Sequence, residues 1–144
     1  MQLYITTDYA IRMVLCVARQ RELVSSAEIS AATAIPENSV KSIGRTLCIA
    51  GILTARRGNS GGFALNRHPA EIFLGDIIHV MENIRINRCL DPDHFCSNGA
   101  SGSCPVRAYY TQVQDQLENL FASKTIASLL QDTEKAANKG GECG

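Results

Sequence analysis

The sequence has no continuous apolar run of about eighteen residues, so no segment is expected to cross a membrane as a helix. Its first residues, MQLYITTDYAIR, lack a basic stretch followed by an apolar stretch and a small-residue cleavage site, and a soluble, cytoplasmic protein is expected. There is no Ser-His-Asp order, no pair of catalytic carboxylates and no phosphate-cradling P-loop, so nothing supports an enzyme. No CxxC pair occurs, which counts against a zinc ribbon and a thioredoxin-like redox site. Net charge is missing too, because 14 Lys and Arg balance 14 Asp and Glu.

That balance hides an asymmetry. Residues 1 to 68 carry eight basic side chains (Arg12, Arg19, Arg21, Lys41, Arg45, Arg56, Arg57, Arg67) against four acids (Asp8, Glu22, Glu28, Glu37), and the remainder carries six against ten. A polyanion would be drawn to the N-terminal half only. At 144 residues and 45% hydrophobic, the chain can build one compact domain with a core, or a small domain plus a dimerisation element.

The periodicity along the first half predicts a specific arrangement. Residues 8 to 20 place Ile11, Val14, Leu15 and Ala18 on one helical stripe, with Thr7 or Asp8 as N-cap. SSAE at 25 to 28 reads as a capping box that opens a short helix to about Ala34, and Pro36 forces a break. A third helix is expected over 37 to 50, with Val40, Ile43, Leu47 and Cys48 inward and Asn38, Ser39, Lys41, Ser42 and Arg45 outward. Gly51 closes it. ILTA (52 to 55) and FALN (63 to 66) then read as strands around RRGNSGG, whose glycines are expected to supply the positive φ of a tight turn. The fold class is therefore mainly α with a small β-hairpin wing: a winged helix-turn-helix. Its polar, basic third helix suits a major groove, and Arg56, Arg57 and Asn59 on the wing suit phosphates or a minor groove.

Further along, a helix is expected over about 75 to 84, then a cysteine-bearing loop. From Pro105 to about Ala122 a longer helix carries Val106, Tyr110, Val113, Leu117 and Leu120 at spacings of 4, 3, 4 and 3, a heptad seam that suits a partner chain. Thr125 is the expected cap of a last helix to about residue 137. The expected organisation is 1–84 winged helix, 85–104 cysteine loop, 105–137 dimerisation and C-terminal helices, and 138–144 tail, with Cys143 inert. His68 and His79 are expected to be structural or exposed.

The loop CLDPDHFCSNGASGSC holds Cys89, Cys96 and Cys104 among residues that form little regular structure. In a reducing compartment, clustered thiols point to metal or redox chemistry rather than a disulfide framework. Three thiolates on a flexible polar loop suit a soft metal or an iron-sulfur cluster and leave one coordination position open. Cys16 and Cys48, among apolar neighbours in helices, are expected to be buried core thiols.

MQLYITTDYAIR, LCIAGILTARRGNSGGFALNR, IFLGDII, the three cysteines and KTIASLL together resemble the Rrf-two type family of bacterial winged-helix regulators, with IscR-, NsrR-, RirA- and CymR-like branches, over residues 1 to about 131. The resemblance implies a homodimer on an inverted-repeat DNA operator, the helix from Pro105 crossing to its partner. It also implies a 2Fe-2S or 4Fe-4S cluster on the three cysteines, sensing nitric oxide, redox state or iron. The spacing here is wider than is usual in cluster-binding members. IscR-like members place a histidine shortly after the third cysteine, and CPVRAYY has none; NsrR-like members use an aspartate that matches Asp8, from the opposite subunit. Asp8 is therefore the first choice for fourth ligand and His94 the alternative, although His94 lies so near Cys96 that the two compete for one arc around the metal. A cysteine-based redox or metal-handling protein without an operator is the competing reading.

Overall fold

In the computed structural model, which describes residues 2–140, six α-helices and one antiparallel hairpin follow one another along the chain. Cys143 falls outside the described residues. Helix α1 (Ile5–Gln20) begins three residues before the predicted start, and its N-cap is Tyr4, with no side-chain cap bond. Thr7 and Asp8, the expected caps, lie inside the first turn instead. The missing acceptor comes from far along the chain, where the Glu82 carboxylate receives the Tyr4 N–H at 2.8 Å and the Thr7 hydroxyl. Thr7 is fully buried, so an unpaired hydroxyl there would cost about 1–3 kcal/mol. The buried stripe runs through Ala10, Met13, Val14, Val17 and Ala18, while Ile11 and Leu15 are half-buried at its edge.

Helix α2 (Ser26–Thr33) opens on the predicted capping box: Glu28 N–H donates to Ser25 Oγ at 3.1 Å and Ser25 N–H to Glu28 Oε2 at 2.9 Å. Ala34 turns the chain at φ 58°, Pro36 stands as the N-cap, and α3 (Glu37–Ile49) follows. Gly51, at φ 78°, ends α3 as expected. Val40, Ile43, Gly44 and Leu47 are buried, whereas Cys48 packs at the core's edge and is only half-buried, a correction to its expected core role. Cys16 is buried as expected, and burial raises its pKa.

The wing strands β1 (Leu53–Arg56) and β2 (Gly62–Leu65) lie one residue from their predicted positions, paired from Leu53↔Leu65 to Arg56↔Gly62. The expected reason for the three glycines holds for one. Gly58 has φ 104°, but Gly61 and Gly62 are needed for close approach: a Cβ would stand 2.2 Å from the Arg56 carbonyl at Gly61 and 2.3 Å from the Val24 carbonyl at Gly62. The second approach exists because Val24 pairs with Phe63 on the free edge of β2, through bonds of 2.9 and 2.8 Å. The hairpin is thereby tied to the segment before α2.

After a 3-10 turn (Pro69–Glu71), α4 (Leu74–Met81) buries Gly75, Ile77 and Ile78. A short 3-10 turn (Arg88–Leu90) leads into the cysteine loop, and α5 (Pro105–Ser123) packs on α4. On α5 only Gln114 is buried; Val106, Tyr109 and Leu120 are 51%, 63% and 67% exposed. A bridge between Phe73 and Thr125 brings α6 (Ile126–Gly140) back, and Ile126 enters the core beside α1. Among the described residues no helix is long and apolar enough to cross a membrane.

Candidate DNA-binding face and cysteine loop

The buried side of α3 determines what its other side presents. With Val40, Ile43 and Leu47 inward, the 100° step per residue turns Asn38, Ser42 and Arg45 outward; all three are exposed, and Ser39 is half-buried at the margin. Lys41 is exposed and pairs with Glu37 at 3.4 Å, an exposed contact of small net worth that a phosphate can displace. Arg45, Arg56 and Arg57 make no ion pair among the described residues. A groove of about 440 Å³ between the start of α2, α3 and the wing is lined by Ser25, Ser26, Lys41, Arg56, Arg57 and Asn59, among others. Four of the predicted DNA contacts thus line one groove, and Asn38, Ser42 and Arg45 share the outward face of the helix that borders it. Three arginines without an ion pair, one exposed lysine whose pair is weak, and neutral hydrogen-bonding side chains beside them suit a polyanion.

Two features that position this face were not in the sequence reading. Gly44 lets Phe63 of the wing lie directly against α3, since an added Cβ would meet the ring at 2.4 Å. A glycine in mid-helix was its sequence signal. The Val24–Phe63 bridge had no local signal.

In the loop, Cys89, Cys96 and Cys104 are each half-buried and free of disulfides. The backbone amides of Ala100 and Asn98, with a smaller contribution from Gly99, lower the Cys96 pKa below the ordinary thiol value against the opposing effect of burial. Arg88 gathers the loop's acids: it meets Asp93 through two bonds of 2.6 Å and Asp91 at 3.0 Å, and lies 5.4 Å from the centre of the Phe95 ring. The Arg88 hydrogen bonds hold the Asp93 carboxyl down to about 2. His94 sits at φ 49°, with its Nδ1 2.7 Å from Arg107 Nη2. Asp8, half-buried in the first turn of α1, pairs with Arg12 at 2.5 Å, and Arg12 lies over the Tyr9 ring.

The donor chemistry suits a soft metal: three free thiols on one loop, one of them with its pKa lowered by backbone amides. The placement within one chain does not by itself form a centre. Among the described residues no three His, Cys, Asp or Glu side chains are close enough to hold one ion, so neither Asp8 nor His94 is united with the thiols. Just before the loop the chain is pinned to α5, where Gln114 donates to the Ile84 carbonyl at 2.9 Å and accepts from Ile86 N–H at 3.0 Å, and Arg85 pairs with Glu118 at 3.1 Å.

Comparison with known proteins brings these features together. A family model described as Rrf2, an iron-dependent transcriptional regulator, matches residues 3–132. A protein of Aquifex aeolicus (strain VF5), named as an HTH-type transcriptional regulator, is 29% identical over 132 residues, covering 90% of this chain and 92% of that protein. Among solved structures, T. potens IscR superposes with a TM-score of 0.74 at 24% identity, covering 94% of this chain and 90% of its own. CymR (YrzC), the global cysteine regulator of B. subtilis, does so with a TM-score of 0.71 at 20% identity, covering 90% and 95%. At these identities the two structures speak for the fold alone.

Proposed function

The chain belongs to the Rrf2 family of transcriptional regulators, and from that membership we propose a homodimeric cytoplasmic protein that binds an inverted-repeat operator under the control of an iron-sulfur centre. One observation carries the reading: a winged helix whose Arg45, Arg56 and Arg57 make no ion pair among the described residues is followed, in the same chain, by a loop with three free thiols. Asn38, Ser39, Ser42 and Arg45 face base edges in the major groove, and Lys41, Arg56, Arg57 and Asn59 hold phosphates or the minor groove. Two such faces read two half-sites, and the exposed apolar stripe of α5 meets its copy in the second protomer.

Cys89, Cys96 and Cys104 would hold the cluster, with Asp8 of the second protomer, or else His94, in the fourth position. A bound iron-sulfur cluster supplies reactivity toward nitric oxide, oxygen and peroxide. Transmission falls to the chain's own residues: the Gln114 and Arg85 contacts fasten the loop's entry to α5, so displacement of the loop moves the helix that sets the spacing of the two recognition helices. That spacing must match about 34–36 Å on DNA.

The test is fluorescence anisotropy on an inverted repeat recovered by selection from random duplexes, with protein reconstituted anaerobically with iron and sulfide or kept metal-free. Binding should weaken steeply between roughly 50 and 200 mM salt, and the two forms should differ in affinity by about tenfold or more. Equal affinity of the two forms would remove the cluster from the control, and flat, weak binding to every duplex would remove the operator.

A second reading has its own support. The thiols are not gathered in one chain and backbone amides lower the Cys96 pKa, which also suits direct thiol-based signalling on the same winged-helix platform. Under that reading the reconstituted protein would carry no iron-sulfur absorption.

A further inference from the structure

Arg107 touches the cysteine loop at more than one point. It stands in the first turn of α5, three residues after Cys104, and its side chain is partly buried. Its Nε donates to the Cys89 carbonyl at 3.1 Å, and its Nη2 lies 2.7 Å from His94 Nδ1. A guanidinium only donates, so Nδ1 accepts and neutral His94 carries its proton on Nε2. One planar fork thereby joins the backbone of the first cysteine, the residue two before the second, and the helix that begins at the third. Unlike Arg85 and Arg88, Arg107 makes no ion pair among the described residues, so its charge is left for whatever anionic group the thiols form.

The geometry points to Arg107 as the positioning residue of the three-cysteine site. It fixes the relative placement of the segments that carry the thiols, and its cation offsets the negative charge that three thiolates bring to a cluster. The inference rests on the cluster reading for its second half only, because the fork acts in the metal-free chain as well. Arg rather than Lys is required by the two acceptors, which lie on different segments and are reached through different nitrogens.

Two measurements on the full chain test it. In hydrogen exchange on the metal-free protein, amides of residues 89–96 should exchange about tenfold faster in Arg107→Ala, with α1 and α3 unchanged. After anaerobic reconstitution with iron and sulfide, Arg107→Ala should lose its thiolate-to-iron absorption in air roughly tenfold faster than the parent, in the range seen when groups supporting metal ligands are removed. Arg107→Lys keeps the cation and the helix propensity but not the fork, and should fall between the two. Glu118→Gln, which loosens the loop's entry away from the thiols, should leave the spectrum as it is. Parental exchange and cluster lifetime in both Arg107 variants would overturn the proposal. No absorption in the parent protein would instead remove the cluster reading, leaving the exchange arm to decide on the fork.

Discussion

Replacing Gly44 by alanine tests how the recognition helix is held against the wing. An ideal Cβ there would stand 2.4 and 2.5 Å from Cζ and Cε1 of Phe63 and 2.9 Å from Cε of Met13. Carbon contacts settle at about 3.5–4.0 Å, so the ring must retreat by about 1 Å. The Met13 terminus can bend away. The ring is more constrained, because Phe63 is paired to Ala55 on one side and Val24 on the other and is 9% exposed. Helix propensity favours Ala over Gly by about 1 kcal/mol, whereas overpacking a dense core costs about 1–3 kcal/mol. With a paired backbone behind the ring the upper range applies, for a net loss of about 1–2 kcal/mol. The assay is urea denaturation at one fixed protein concentration, where the midpoint should fall with little change in slope. Phe63→Leu in the Gly44→Ala background should recover much of the loss, giving a coupling on the order of 1 kcal/mol. Operator affinity of Gly44→Ala should fall as well, since α3 moves relative to Arg56 and Arg57. If Gly44→Ala were as stable as the parent, the close approach of wing and helix would not be what keeps a glycine there.

Arg45→Ala should weaken operator binding on the order of ten- to hundredfold and relax preference at one base pair, while Arg57→Ala should weaken all sequences alike and flatten the salt slope. Parental anisotropy curves for both would mean that this face does not dock on DNA. Asp8→Ala should change the absorption of the reconstituted protein and speed its loss in air, with a stability change under about 0.5 kcal/mol because its pair with Arg12 is half exposed. Cys96→Ala should prevent assembly, and an altered spectrum in His94→Ala beside an unaltered one in Asp8→Ala would move the fourth position to the loop. Glu82→Ala strands the buried Thr7 hydroxyl and should cost about 1–3 kcal/mol in denaturant unfolding; an unchanged midpoint would show that water or another group takes the bond.

Much of this protein is written locally. Ser25 and Glu28 make a capping box because three residues is the reach of one turn, Gly51 ends α3 because only glycine takes φ 78° there without strain, and the apolar spacing of Val40, Ile43 and Leu47 turns Asn38, Ser42 and Arg45 outward. Those interactions span a few residues, so the winged helix and its basic face could be read from the chain, as could a loop with three thiols. What tertiary structure decided are contacts whose partners lie far apart in sequence. Glu82 caps α1 across 75 residues and more, Val24 seals the edge of the wing, Gly44 admits Phe63, and Arg107 reaches back 13 and 18 residues to His94 and Cys89. A mid-helix glycine marks Gly44 but not its partner, and the other pairs have no local mark, because each side chain has several chemically equal partners and only the packed fold selects one. The same limit applies to the proposed fourth ligand: Asp8 and His94 carry suitable donors, and a choice between them would depend on how loop and helix are brought together, not on residue type.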